Sequence, residues 1–214
     1  MHAYKPVRSE EYFYFNCSKC GECCRNIKDT VLIDSLDLYR IAKFLKIEMS
    51  EATLKYTGIV FLSWGFPVLM LKTMEDRNSC VFLKSSKCSI QPVKPRACRL
   101  YPLGVGPDDN NNDELLNFIV SEKEHHFTGT RILAGSWINK NLTQEDRDFI
   151  VDEYNHTREL GRLMRKIDRR HGDKVSELNL FFKYIAYDGS ESFQTQYARN
   201  MRQLKTNLNL FAGK

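Results

Sequence analysis

The 214-residue chain has no apolar run long enough to cross a bilayer: its most apolar stretch, Ile59 to Leu71, is short and carries Gly65 and Pro67. The segment from Met1 to Glu11 is polar and charged and lacks the apolar core of a secretory signal. These two absences lead to the expectation of a cytoplasmic protein without membrane contact, in a compartment where thiols stay reduced. No G-x-x-x-x-G-K-[ST] or G-x-G-x-x-G run is present to cradle a nucleotide. The C-x3-C-x-x-C spacing that a radical methyl-group enzyme would need is missing as well. Charge of one sign is scarce: 32 Lys and Arg against 27 Asp and Glu leave a net +5. That balance permits an acidic partner but does not argue for nucleic acid. Apolar and charged fractions of 42% and 28% are those of a globular protein, which sets disorder and coiled-coil readings aside.

What is present is cysteine: Cys17, Cys20, Cys23, Cys24, Cys80, Cys88 and Cys98, with none later in the chain. In a reducing compartment such thiols read as ligands rather than bridges, and an odd count disfavours a closed disulfide framework. The first group is Cys17-Ser-Lys-Cys20-Gly-Glu-Cys23-Cys24. Two residues between cysteines let a tight turn aim both sulfurs at one ion, and Gly21 permits the positive φ of such a turn. Cys17, Cys20 and Cys23 share the spacing of the first three cysteines in a bacterial ferredoxin run. Adjacent side chains diverge, so Cys23 and Cys24 suit two centres, or a cluster with a spare thiol, better than one tetrahedral ion. The second group runs from Cys80-Val-Phe-Leu through Lys87-Cys88-Ser-Ile to Pro95-Arg96-Ala97-Cys98-Arg99-Leu100-Tyr101-Pro102. It holds no second C-x-x-C, so the pattern is not a paired-knuckle zinc ribbon, and folding must join the two groups. Nucleophilic catalysis by a lone thiol fits this crowding less well than metal ligation.

The expected fold class is α+β: a small cysteine-rich domain of short strands and helices in residues 1–139, and a helical C-terminal region packed on it in residues 140–214. Asp34 can cap a helix to Lys46, and Ser50 a second one stopped by Gly58. Ile59–Thr73 and Leu115–Ser121 read as extended. Thr143 with Asp146 resembles a capping box that opens a helix to about Arg170, and Asp173 and Ser190 can cap two more. The apolar stripes of these helices are core-facing, and they leave room for a protein partner. Arg162–Arg170 reads as a solvated basic face rather than a site for RNA.

The residues that carry a specific likeness are Cys17, Cys20, Gly21, Cys23 and Cys24, then the CVFL…KCSI segment, then PRACRLYP. With them, the chain resembles the YkgJ family, the CxxCxxCC zinc- or iron-chelating proteins, over roughly residues 13–135. It is distantly similar to flagellin lysine-N-methylases, in which the same kind of cluster is held as iron–sulfur. The resemblance implies a protein holding an iron–sulfur cluster, such as 4Fe-4S, or zinc through its clustered cysteines. A metal-dependent enzyme of methyl or group transfer is the alternative. Family members often carry an eighth cysteine after the second extended run, where this chain has His125 and His126. Either histidine could stand in as a ligand, or both could be exposed loop residues. Arg96 and Arg99 flank Cys98 and could offset thiolate charge, or be solvated. Tyr101 could donate to a sulfur or simply pack.

Overall fold

The computed structural model of the chain describes residues 5–17, 20–74, 78–107, 115–119 and 129–212. Two short strands, β1 (Lys5–Pro6) and β2 (Tyr12–Tyr14), precede the first cysteines, and β3 (Leu32–Ile33) follows them. Asp34 caps α1 (Ser35–Leu45) by accepting from the Asp37 amide at 2.8 Å. Leu36, Leu38, Ile41 and Ala42 form the buried side of this helix. The next helix, α2 (Met49–Tyr56), has Glu48 rather than Ser50 at its N-cap, and it ends on Thr57 rather than Gly58. The cause is pairing: Thr57 is already the buried first residue of β4 (Thr57–Leu62), so the chain passes from helix into sheet without a glycine stop.

The expected extended run is a hairpin of β4 and β5 (Phe66–Leu71). Its turn takes two left-handed residues in a row, Trp64 at φ 65° and Gly65 at φ 74°. Gly65 has a second reason to lack a side chain, because a Cβ there would stand 2.2 Å from the Ser176 hydroxyl oxygen. In this antiparallel sheet β5 is central, with β3 and β4 on its flanks.

Further along lie β6 (Leu83–Lys84), β7 (Lys87–Cys88), α3 (Arg96–Leu100), β8 (Leu103–Pro107) and β9 (Leu115–Ile119), the last within the second expected extended run. Then come β10 (Arg131–Leu133), α4 (Ala134–Asn141), α5 (Gln144–Met164), α6 (Gly172–Leu180) and α7 (Phe193–Phe211). The fold is α+β, with the helices concentrated toward the C-terminus. The Thr143–Asp146 capping box is present, but α5 stops at Met164, short of Arg170. Asp168 breaks it by accepting from the Arg170 amide at 2.9 Å and so capping a short turn at Arg169–His171. Ser192, not Ser190, caps α7, because Ser190 is already hydrogen-bonded to Asp188.

One apolar core runs through both parts of the chain. Ile33, Leu38, Leu69, Cys80, Phe82 and Ile90 share it with Phe149, Leu160, Tyr197 and Leu204. A second core joins Phe13 and Phe15 to Leu100, Leu103, Ile138 and Ile150. Between them lies a buried ionic joint. Asp146 is 1% exposed and takes Arg99 at 2.8 and 3.0 Å, Arg40 at 2.6 Å, and the Thr143 amide at 2.8 Å. Arg99 adds bonds to the carbonyls of Lys94 and Asn141. Three helices, α1, α3 and α5, are thereby fixed to one carboxylate.

Burial alone would raise the Asp146 pKa, but its bonds from Arg99, Thr143 and Arg40 win and hold it well below the carboxylate range. A depressed folded-state pKa contributes stability above the unfolded value of about 4, and that stability is lost as pH falls through the folded value. Asp146→Ala should cost about 3 kcal/mol by leaving two arginines facing each other, read as a lower urea midpoint. Wild type should also lose stability more steeply than Asp146→Asn between about pH 4 and pH 2. Equal acid sensitivity of the two proteins would show that the joint contributes little.

Candidate metal centre

The site is built from three segments. In the first, Gly21 is left-handed at φ 76° and turns the chain into a short helical turn, Glu22–Cys24. A Cβ on Gly21 would press on the Arg25 guanidinium at 3.1 Å, and that guanidinium is already bonded to the Cys20 carbonyl at 2.6 Å. The second segment is spliced to the first through the backbone: the Cys80 amide donates to the Cys24 carbonyl at 2.8 Å, and the Ile27 amide donates to Asn78 at 3.1 Å. Strands β6 and β7 then form a tight hairpin whose two turn residues, Ser85 and Ser86, are both left-handed, which puts Cys88 opposite Leu83. The third segment is α3, which carries Cys98. Its own N-cap is Pro95, which offers no side-chain cap, and Asp37 of α1 serves instead, accepting from the Arg96 amide at 2.8 and 2.9 Å. Burial, with Asp34 beside it, pushes Asp37 up to about 8.

Five of the seven cysteines, Cys23, Cys24, Cys80, Cys88 and Cys98, line one cavity of about 550 Å3. Ile27, Val31, Phe82, Ile90 and Leu103 form its apolar wall, and Lys94 and Tyr101 also line it. Cys23 and Cys24 do not diverge as adjacent side chains were expected to; their sulfurs are 3.9 Å apart. The Phe82 amide donates to the Cys80 sulfur at 3.4 Å, a contact that favours the thiolate. Among the described residues, no three of these donors converge closely enough to hold one ion as they stand.

The thiols crowd one another. The hydrogen bond with Cys23, then burial, then the fields of Cys23, Cys80 and Cys98 drive the Cys24 pKa far up. Burial and the field of Cys80 raise Cys98, and burial raises Cys80 against the pull of the Phe82 amide. Cys24, Cys80 and Cys98 therefore stay protonated at neutral pH until a cation takes the charge.

Cys17 and Cys20 are exposed and do not line the cavity. His125 and His126 lie outside the described residues. The Arg96 guanidinium stands 3.1 Å from Asp34, and that of Arg99 is committed to Asp146. Tyr101 packs edge-on against Phe15. Sequence reasoning missed Asp37, Arg40 and Lys94. Asp37 and Arg40 carry no signal beyond their place on a helix, and Lys94 none beyond its place before Pro95.

An α+β chain that folds cysteines from three segments onto one cavity has the architecture of a chelating domain. The chain belongs to the CxxCxxCC family, whose model is described as a "Putative zinc- or iron-chelating domain" and matches residues 16–123, a span that takes in every cysteine. Membership supports metal binding in general. Over 93 residues the chain is 34% identical to an uncharacterized protein of Methanocaldococcus jannaschii, covering 42% of this chain and 46% of that protein. The chain thus spans a little under half the length of this curated relative. No solved structure matches it. No helix among the described residues is long and apolar enough to cross a membrane.

Because Cys24, Cys80 and Cys98 all have raised pKa values, protons and metal compete for them. Loading of zinc or ferrous ion should weaken by at least about tenfold for each pH unit lost between 8 and 6, measured by chelator competition. Affinity flat across that range would show that these thiols are not the ligands.

Proposed function

We propose that this protein is a metal-binding protein that holds an iron–sulfur cluster, of the 4Fe-4S kind, on thiolates drawn from Cys17, Cys20, Cys23, Cys24, Cys80, Cys88 and Cys98. The observation that carries the reading is the spread of sulfurs around the cavity: Cys23, Cys24, Cys80, Cys88 and Cys98 border one space from three segments, and among the described residues no three of them converge on a single ion. A polynuclear cluster would accept thiolates set further apart than one ion allows, and the apolar wall would limit water beside it. When bound, such a group supplies electron-transfer or Lewis-acid chemistry. The chain's own part is to position the sulfurs, to stabilise the Cys80 thiolate with the Phe82 amide, and to exclude solvent with Ile27, Phe82 and Ile90. In this reading residues 1–139 hold the centre, and the helices from residue 140 onward support it through the shared core.

Zinc is the second reading, and the Cys23–Cys24 pair favours it. Two sulfurs on one tetrahedral ion at a metal–sulfur distance of about 2.3 Å lie roughly 3.8 Å apart, and these two are at 3.9 Å. The enzyme alternative, group transfer at the metal, draws support from the space beside the sulfurs in the same cavity.

Protein purified without oxygen should be brown, show sulfur-to-iron charge-transfer absorption and contain iron with acid-labile sulfide. A colourless protein with stoichiometric zinc would reverse the ranking, and less than one metal ion per chain would end the metal reading. Cys20→Ser and Cys88→Ser should each lose metal and melt earlier than wild type, since a site joining distant segments couples metal binding to folding. A variant with full metal and unchanged melting would remove that residue from the ligand set.

A further inference from the structure

Strand β4 stands at an open edge of its sheet, since β5 is its one strand partner in the order β3-β5-β4. Among the described residues, residues 58–62 have no main-chain bond recorded outside that pairing. The strand reads Thr57-Gly-Ile-Val-Phe-Leu62, without charge or proline, so it lacks the devices that normally blunt a sheet edge. Its side chains are exposed in both rows. Ile59 and Phe61 share the row of the buried Leu69 and Pro67, while Val60 and Leu62 point to the opposite face. The overhang is therefore wet on both sides.

We infer that β4 pairs edge to edge with β4 of a second copy of this chain, making a two-fold dimer with one continuous six-stranded sheet. Antiparallel pairing of a strand with its own copy is self-complementary about a two-fold axis, and it satisfies the open backbone groups of both edges at once. It also sets the apolar rows of the two copies side by side, so that neighbouring side chains shield one another in part. A bilayer surface would leave the open backbone groups unpaired, and a charged partner would meet nothing of opposite sign on the strand. Exposures of 37% for Ile59, 40% for Val60, 51% for Phe61, 54% for Leu62 and 43% for Trp64 leave a substantial apolar area. At about 200 Å2 per large side chain, this is on the order of 450 Å2 per copy. In-plane pairing shields only part of this area, which places the contact at the small end of interfaces and fits a weak, reversible dimer. No residue of β4 lines the cysteine cavity, so this association is separable from metal binding.

Sedimentation of the full chain across about 5–200 μM tests the inference. A reversible monomer–dimer equilibrium is expected, and the double variant Val60→Lys with Leu62→Lys should shift it at least tenfold toward monomer. Circular dichroism and metal content should stay those of wild type. Independently, hydrogen exchange of wild-type protein should show the amides of those alternate residues of 58–62 that face away from β5 gaining protection as concentration rises, an arm that needs no variant to fold. A chain that stays monomeric throughout overturns the proposal. So does a dimer in which these amides remain unprotected, or one that persists undiminished in the folded double variant. A monomer that binds neutral phosphatidylcholine vesicles and loses this on Leu62→Lys would assign the strand to a lipid surface instead.

Discussion

Asp146 is a single buried carboxylate on which three helices converge. A lone charge at this depth would be costly, and two guanidinium groups, a threonine hydroxyl and a backbone amide compensate for it. Because Arg99 follows Cys98 directly, the joint fixes the rotation of α3 and hence the direction of that thiol. Because Arg40 is on α1, the same carboxylate aligns the helix whose Asp37 caps α3 from outside. The position of Cys98 thus depends on a residue in the first turn of α5, 48 positions later in the chain.

The other organising constraint is the cost of crowding thiols. Three of the sulfurs carry raised pKa values through burial and through one another's fields. Without metal these three are therefore neutral thiols held together by the surrounding fold, and metal turns that crowding from a liability into coordination. The backbone bond from Cys80 to the Cys24 carbonyl and the tight β6–β7 turn keep the first two segments in register. The shared core supports them from beneath, where Phe82 and Ile90 pack in one cluster with helices α5 to α7.

Much of the local structure was legible in the sequence. Asp34, the Thr143–Asp146 box and the positive φ at Gly21 all act within three or four residues, so spacing alone reveals them. Errors arose where a nearby competitor outbid a good local signal. Gly58 lost its place as the stop of α2 because β4 claims Thr57. Ser190 was taken by Asp188, and Asp168 ended α5 before its pattern of apolar residues ran out. The Cys23–Cys24 geometry was misread because divergence of neighbours is a rule for extended chain, whereas these two sit in a helical turn.

By itself the sequence determined that this chain is an α+β, cysteine-rich protein with a helical C-terminal part, because composition and short-range periodicity report on local conformation. Only the tertiary structure decided which sulfurs share a cavity, that Arg99 serves a carboxylate, that Asp37 caps another helix, and that β4 is left at an open edge. Each of these depends on how whole elements, tens of positions apart in the chain, pack together. No pattern within a single segment encodes its distance to another, so such contacts emerge only when the chain has closed around its core.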